Sequence, residues 1–354
     1  MSFRILHIYQ KFSFDPKGGI EQAIKQYSFA LHKYHQCQNT VLYLDSRPRL
    51  EKKDYLTAIS TVQIGKISSC AIPALSFFQK FIELQKKHDV IIFHYPFPMQ
   101  DLTLIFRLIN KPYFIHYHSD IIKQKKLLFI YKPLRYLFFK FAKQIIASSE
   151  NYLQSSVLLK NYKKKTKVIT YILNEELISV KKKKIPYKYF LFIGQYRHYK
   201  NIDQIIQAFK QLPQHQLIMI GPKKEQLVNY DLSSNISVIE NVRDENKYNY
   251  ISQCQALILP SSNRAEAFGY SLLEGLYFKK PLISCEIKSG TSFINKHLKT
   301  GLVLKNVNSI DIIEGINYFI ANSKQFKVTS NFTKQYSKFN PKTIALELFN
   351  TLYT

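Results

Sequence analysis

The chain has 354 residues, 46% of them hydrophobic, which is enough for two domains with cores of their own and excludes a disordered polymer. Lys and Arg number 51 against 24 Asp and Glu, a net charge of +27 that runs through both halves of the chain instead of gathering in a tail. Such an excess suits anionic partners (nucleotide phosphates, an acidic lipid surface or nucleic acid), although a lysine-rich surface can also serve solubility alone.

The N-terminus, MSFRILHIY, reads as a strand and has none of the charged start, apolar stretch and cleavage site of a secretory leader. Apolar strand-like runs lie at 3–9, 40–44, 89–94, 113–117, 144–148 and 167–172, and a second series at 189–194, 216–221, 236–240, 256–260, 281–285 and 301–304. Most are separated by amphipathic stretches of helical length. Short, continuous apolar strands alternating with helices predict parallel sheets covered on both faces, and two series predict two doubly wound, Rossmann-like α/β domains. The divide falls in NEELISVKKKKIPYK, residues 174–188, a polar stretch with four lysines at 181–184 that reads as a solvated linker and a plausible hinge. The expected domains are 1–178 and 189–336, joined by 179–188. Residues 337–354 form a helix, with Pro341 in its first turn, that packs back toward the first domain. No apolar run approaches the roughly 18 residues of a membrane span. Cys37, Cys70, Cys254 and Cys285 are far apart and lack metal-ligand spacing, which predicts reduced thiols and no metal centre.

In open parallel sheets, ligands bind where strands end and helices begin. Gly18 and Gly19 precede a helical pattern after the first strand, where glycine lets a ligand approach the backbone and a helix N-terminus attracts anions. His118, Ser119 and Asp120 follow the strand at 113–117; His94 and His116 read as structural. Gly194 ends the strand at 189–193, and Arg197 and Lys200 then flank a helix start near Asn201, a candidate diphosphate clamp. After the strand at 256–260 comes Glu266, with Glu274 eight residues on along a helix expected to begin near Phe268. A carboxylate accepts two hydrogen bonds and so suits vicinal hydroxyls. Gly269 would let a sugar lie against the backbone.

The stretch EAFGYSLLE resembles the Glu, seven residues, Glu motif of family 4 retaining glycosyltransferases. GQYRHYKN is similar to that family's basic glycine loop, GGIEQ to its N-terminal glycine loop and HYHSD to its histidine loop, in the family's order over nearly the whole chain. The resemblance implies a GT-B fold, two Rossmann-like domains facing across a cleft, and a retaining, metal-independent hexosyltransferase that needs no cofactor beyond its nucleotide diphosphate sugar. Residue by residue, it implies that Glu274 binds the ribose hydroxyls. Glu266 holds the donor sugar with the backbone of Phe268 and Gly269, beside Tyr270 and Ser271. Lys200, on the loop of Gly194, neutralises the diphosphate. His118 sits near the transferred sugar, and Gly18 and Gly19 lie on the diphosphate and acceptor side. The family's arginine after the loop glycine is replaced by Gln195, and Arg197 could supply that charge. The implied catalytic set is His118, Lys200 and Glu266.

The chain has no Asp-x-Asp pair for a metal, so fixed cations and helix N-termini would stabilise the departing diphosphate. The resemblance favours same-face attack with the leaving phosphate as base. Residues 121–144 carry seven Lys or Arg and no acid among interleaved aromatics, the pattern of a helix lying on anionic lipid; alternatively Leu134, Leu137, Phe138 and Phe141 face the sheet. YHSDIIKQKKLLFIYKPL and SGTSFINKHLKTGL resemble the branch that builds bacterial lipopolysaccharide O-antigen, with a hexose such as mannose from GDP-mannose as donor and a lipid-linked or saccharide acceptor. The expected location is cytoplasmic, peripheral on the inner membrane face. The rival readings are another GT-B enzyme, such as a nucleotide-sugar epimerase, and a basic nucleic-acid binder; the latter lacks any RRM, zinc or helix-turn-helix signature, so no nucleic acid is expected as partner.

Overall fold

The computed structural model describes residues 2–16, 18–67, 70–121, 125–180 and 183–354; the side chains of 125–128 and 130 also lie outside the described residues. Two compact units result, one of 1–174 with 341–354 and the other of 175–340.

The first unit carries β1 (Arg4–Ile8), β2 (Gln38–Asp45), β3 (Arg49–Lys53), β4 (Leu56–Ile67), β5 (Cys70–Pro73), β6 (Val90–Tyr95), β7 (Tyr113–Tyr117), β8 (Gln144–Ala147) and β9 (Thr166–Val168). Their order is β3-β4-β2-β1-β6-β7-β8-β9, with β5 on β4. All pairs are parallel except those made by β3 and β5. β6 and β7 are buried along their length, which is why they read as continuous apolar runs. β3, β4 and β5 are absent from the expected strand set. β3 is wholly exposed (RLEKK) and β4 is half polar, so neither shows an apolar run; cross-strand pairing forms them. The run at 167–172 is strand only to Val168, although Ile169, Tyr171 and Ile172 are buried beyond it.

Helix α1 (Gly19–His35) covers the sheet with Ala23, Ile24, Tyr27, Ala30 and Leu31. It stops at Gln36, whose left-handed backbone (φ 53°) turns its N–H onto His32 O at 2.9 Å. The helix Pro341–Tyr353 packs on the same unit, with the Phe349 ring stacked 4.6 Å from His35 and edge-on to Phe3 at 5.8 Å. Helices α2 (Leu75–Gln85) and α3 (Lys125–Phe141) complete the cover. Phe138 of α3 is buried against Phe93, while Leu137 and Phe141, which could have faced the sheet, are exposed.

The second unit holds β10 (Tyr189–Ile193), β11 (Gln216–Ile220), β12 (Ile236–Ile239), β13 (Ala256–Leu259), β14 (Leu282–Cys285) and β15 (Gly301–Leu304), all at expected positions. They are parallel, in the order β12-β11-β10-β13-β14-β15. That order reverses between β10 and β13, and a crevice at the carboxyl ends of a switch point is where doubly wound sheets take ligands. Helices α4 (Ile202–Lys210), α5 (Asp244–Gln253) and α6 (Tyr270–Tyr277) follow β10, precede β13 and follow it. The four cysteines are free thiols, three of them buried. Among the described residues, no helix is long and apolar enough to cross a membrane.

Candidate active site

The loops after β10 and β13 meet at the switch point of the second unit. Gly194 ends β10, donating its N–H to Ile220 O at 2.9 Å. A Cβ on Gly194 would come within 2.8 Å of Lys200 Nζ, so the missing side chain is the space in which the lysine lies. Gly221 backs this arrangement from β11. Its φ of +112° suits glycine, and a Cβ there would meet Gly194 O at 2.6 Å.

Lys200 Nζ donates to Glu266 Oε2 at 2.7 Å, and both side chains are 12% exposed. Ser261 Oγ reaches the same carboxylate oxygen at 3.5 Å. Asn201 fixes the lysine's loop: it sits in the left-handed region (φ 48°), and its amide donates to Tyr199 O and, at 2.8 Å, to Pro260 O at the end of β13. Two loops 59 residues apart in sequence are thus tied by one side chain. Arg197 is exposed on that loop and donates to Gln195 Oε1 at 3.1 Å, so the two residues at the point of departure from the family pattern touch each other.

Gly269 holds the turn into α6 at φ +89°, and a Cβ there would press on Leu272 at 3.1 Å and Thr291 at 3.2 Å. This turn delays the helix to Tyr270, two residues past the expected start, so Glu274 lies one turn in instead of nearly two. Phe268 is buried beside it. Gly290, in the stretch SGTSFINKHLKTGL but not among the expected site residues, lets the Phe268 backbone approach, since a Cβ there would stand 2.8 Å from Phe268 Cα. Tyr270 is half-buried and Ser271 buried in the first turn of α6.

Glu274 is 3% exposed. Its Oε1 accepts from Lys247 Nζ at 2.8 Å, and the same ammonium reaches Asp244 Oδ1 at 2.8 Å and lies 4.5 Å above the Tyr248 ring. Burial pulls the Lys247 pKa down, but the Glu274, Tyr248 and Asp244 fields outweigh it and raise it above the ordinary lysine range. Lys247 was not singled out from sequence. Its signal was an acidic start to an amphipathic stretch, DENK, with the lysine three residues after Asp244.

In the first unit Gly18 caps α1 in ordinary extended backbone (φ −124°), with Glu21 folded back to Lys11 at 2.7 Å. Gln22, in the first turn, is buried with both amide atoms lacking a protein partner. His118 follows β7 and is 2% exposed. Its Nε2 contacts His94 Nδ1 at 2.7 Å, and its Nδ1 meets the Tyr171 hydroxyl. His94 Nε2 contacts His7 Nδ1 at 3.0 Å, and His7 Nε2 faces Asn39 Oδ1 at 3.4 Å. His94, read from sequence as structural, is thus bonded directly to His118, while the His116 ring lies tilted against the His118 ring at 4.1 Å. Asp120 accepts from the Tyr117 hydroxyl and from Ser156 Oγ at 2.8 Å, a structural tie for the histidine loop. His94, His116 and His118 could each turn one nitrogen to a common centre, all within 4.8 Å of one another, but an ion there would have to displace the His94–His118 hydrogen bond.

Two family models match in succession: glycosyltransferase family 4 over residues 17–170 and glycosyl transferases group 1 over 174–336. The D-rhamnosyltransferase WbpZ of Pseudomonas aeruginosa is 34% identical over 315 residues, which span 85% of this chain and 82% of that protein. The O-antigen chain mannosyltransferase C of Escherichia coli is 32% identical over 327 residues, 89% of this chain and 88% of that one. Among solved structures, a sucrose-phosphate synthase from Thermosynechococcus elongatus has a TM-score of 0.77 at 18% identity over 98% of both chains. Anabaena Alr3699/HepE, solved in complex with UDP-glucose, has a TM-score of 0.75 at 16% identity over 99% of both. At such identities the likeness concerns the fold. Matching models over both halves, relatives above 30% identity over most of the chain and solved neighbours of the same fold lead to one conclusion: the chain belongs to the family 4 retaining glycosyltransferases, enzymes of GT-B fold.

Proposed function

We propose that the protein transfers a hexose from a nucleoside diphosphate to a lipid-linked or polysaccharide acceptor in bacterial surface-glycan synthesis, without a metal, with GDP-mannose as the first donor to test. The observation that carries this reading is the Lys200–Glu266 pair over Gly194, at the switch point of a Rossmann-ordered sheet. As the bond from the anomeric carbon to the diphosphate breaks, its electron pair leaves on the phosphate oxygen. A cation already fixed there stabilises that charge with little reorganisation. The acceptor hydroxyl then attacks on the same face and gives its proton to the departing phosphate.

In this reading Lys200 neutralises the diphosphate and Arg197 adds a second charge from the loop rim. Glu266 holds Lys200 and, with the Phe268–Gly269 backbone and the first turn of α6 at Tyr270 and Ser271, receives the sugar. Glu274 accepts the ribose hydroxyls, with Lys247 offsetting its charge before they arrive. Gly18 and Gly19 give the backbone access to the diphosphate and acceptor, and His118 lies at the transferred sugar. The relatives' mannosyl and rhamnosyl specificities support a hexose of that kind and an O-antigen type of acceptor.

A lipid-linked acceptor calls for contact with the inner face of the cytoplasmic membrane. Helix α3 leaves Phe129 79%, Tyr136 53% and Phe141 60% exposed, alongside Lys132 and Lys140, while Phe138 and Phe139 anchor it inward. Apolar rings interleaved with lysines suit an anionic interface. Lys123 and the side chains of Lys125 and Lys126, which would extend the basic stretch, lie outside the described residues, as do Lys181 and Lys182 of the linker.

The test is a panel of nucleotide sugars screened for a rise in melting temperature, followed by release of free nucleoside diphosphate with a membrane-extract acceptor. GDP-mannose or a related donor should raise the melting temperature and turn over. A panel in which no nucleotide sugar does either defeats the reading.

A further inference from the structure

The buried histidines of the first unit form one directed chain. Asn39 sets its direction. The Asn39 amide nitrogen faces three backbone carbonyls, Ser28 O at 3.1 Å, Tyr55 O at 3.2 Å and Cys37 O at 3.5 Å, so it must be Oδ1 that faces His7. An amide oxygen only accepts, so the proton lies on His7 Nε2. Burial holds His7 neutral, with its pKa pulled down to about 4, and pulls those of His94 and His118 well below the ordinary histidine value. A neutral imidazole carries one proton, so His7 Nδ1 accepts and His94 Nε2 donates to it at 3.0 Å. By the same step His94 Nδ1 accepts, His118 Nε2 donates to it at 2.7 Å, and His118 Nδ1 accepts from the Tyr171 hydroxyl. The strands enforce the geometry. β1 carries His7, its neighbour β6 carries His94, and β7, next in the sheet, ends just before His118.

We infer that Asn39, His7 and His94 are positioning residues that fix His118 in the Nε2–H tautomer, so that His118 can meet a substrate hydroxyl only as an acceptor at Nδ1, in place of the Tyr171 hydroxyl. The functional half of this inference rests on the reading that His118 lies at the transferred sugar. It adds a requirement on the ligand: the group that reaches His118 must bring its own proton. A sugar carrying a hydroxyl at that point satisfies it, and one presenting only an ether or carbonyl oxygen does not.

The test is 15N NMR of the histidine rings in the full chain, with turnover measured on the same samples. In the wild type, His7, His94 and His118 should each be protonated at Nε2 with Nδ1 as a bonded acceptor. Tyr171→Phe should keep the His118 tautomer while moving its Nδ1 resonance to that of an open acceptor, because direction comes from Asn39. His7→Phe keeps a flat ring in the stack but cuts the chain. His94 and His118 should then show mixed tautomers, and kcat should fall about tenfold with donor KM little changed, the scale of one misdirected hydrogen bond. A His118 protonated at Nδ1 in the wild type, or tautomers unmoved in His7→Phe, overturns the assignment. If His7→Phe shows no melting transition, the wild-type and Tyr171→Phe spectra decide alone. Full turnover in His118→Ala overturns the functional half and leaves the tautomer assignment to the spectra.

Discussion

Replacing Lys200 by methionine keeps the length of the side chain and removes its charge. Two effects follow, and they can be separated. Glu266 is only 12% exposed and would lose its cation, keeping Ser261 Oγ at 3.5 Å. Breaking a fully buried pair commonly costs about 3–5 kcal/mol, and the residual exposure lowers that here to about 2–3 kcal/mol. For a unit the size of 175–340 this is a fall of about 5–10 °C in melting temperature. Independently, losing a group that stabilises leaving-group charge costs about 3 kcal/mol in the barrier, or roughly 150-fold in kcat at saturating donor. Adding Glu266→Gln to the methionine variant removes the stranded carboxylate, so stability should recover by about 2 kcal/mol while turnover stays low. The assay is a double-mutant cycle read by thermal melting and by release of nucleoside diphosphate. Additive stabilities would show that the pair does not interact. A Lys200→Met enzyme that loses stability but keeps its turnover would show that the lysine is structural, and the charge-stabilisation argument would be wrong.

Lys247→Met leaves both Glu274 and Asp244 without their shared cation, so it should weaken stabilisation by donor at least tenfold in affinity as well as lower melting temperature; unchanged donor titrations would remove Lys247 from the site. Gly269→Ala forces an L-residue to φ +89° with Leu272 and Thr291 in contact, a cost of about 1–2 kcal/mol that melting would show directly, and a neutral result would mean the turn relaxes. Arg197→Ala should raise donor KM; unaltered donor binding and turnover would end the idea that it replaces the arginine expected at Gln195. Burial lowers the folded-state pKa of His7 from 6.5 to about 4 and of His116 to about 3, so the unfolded chain takes up protons that the folded chain refuses. Stability should therefore be complete above about pH 6.5 and fall as the pH drops toward about 4, more shallowly in His7→Phe; a melting temperature flat over that window contradicts the buried neutral stack. Phe129→Ser with Phe141→Ser should reduce binding to anionic vesicles severalfold, and charge reversal at Lys123, Lys125 and Lys126 should abolish it; full retention by both variants would refute membrane contact through this helix.

Much of the architecture was legible because it depends on local pattern. The central strands of the second unit, β10, β11 and β13, are nearly continuous apolar runs buried along most of their length, so composition alone marks them. The motif glycines and carboxylates were legible because each sits at a strand end beside a helix start, where chain order alone places a ligand loop. The β3–β4–β5 region was illegible because its strands are exposed or mixed in polarity and form through antiparallel pairing with one another. The delayed start of α6 was missed because a left-handed glycine, not a change in apolar periodicity, sets it.

The sequence by itself determined that two doubly wound units exist and which loops carry their chemistry, since periodicity and turn residues act over a few positions. Only the tertiary structure decided the partners: Lys200 with Glu266, Lys247 with Glu274, and the line from Asn39 through three imidazoles to Tyr171. Those pairings join residues 24 to 87 positions apart, or neighbours only through the order of strands in a sheet. A hydrogen bond acts over about 3 Å, a distance that chain order does not encode until the sheet has closed.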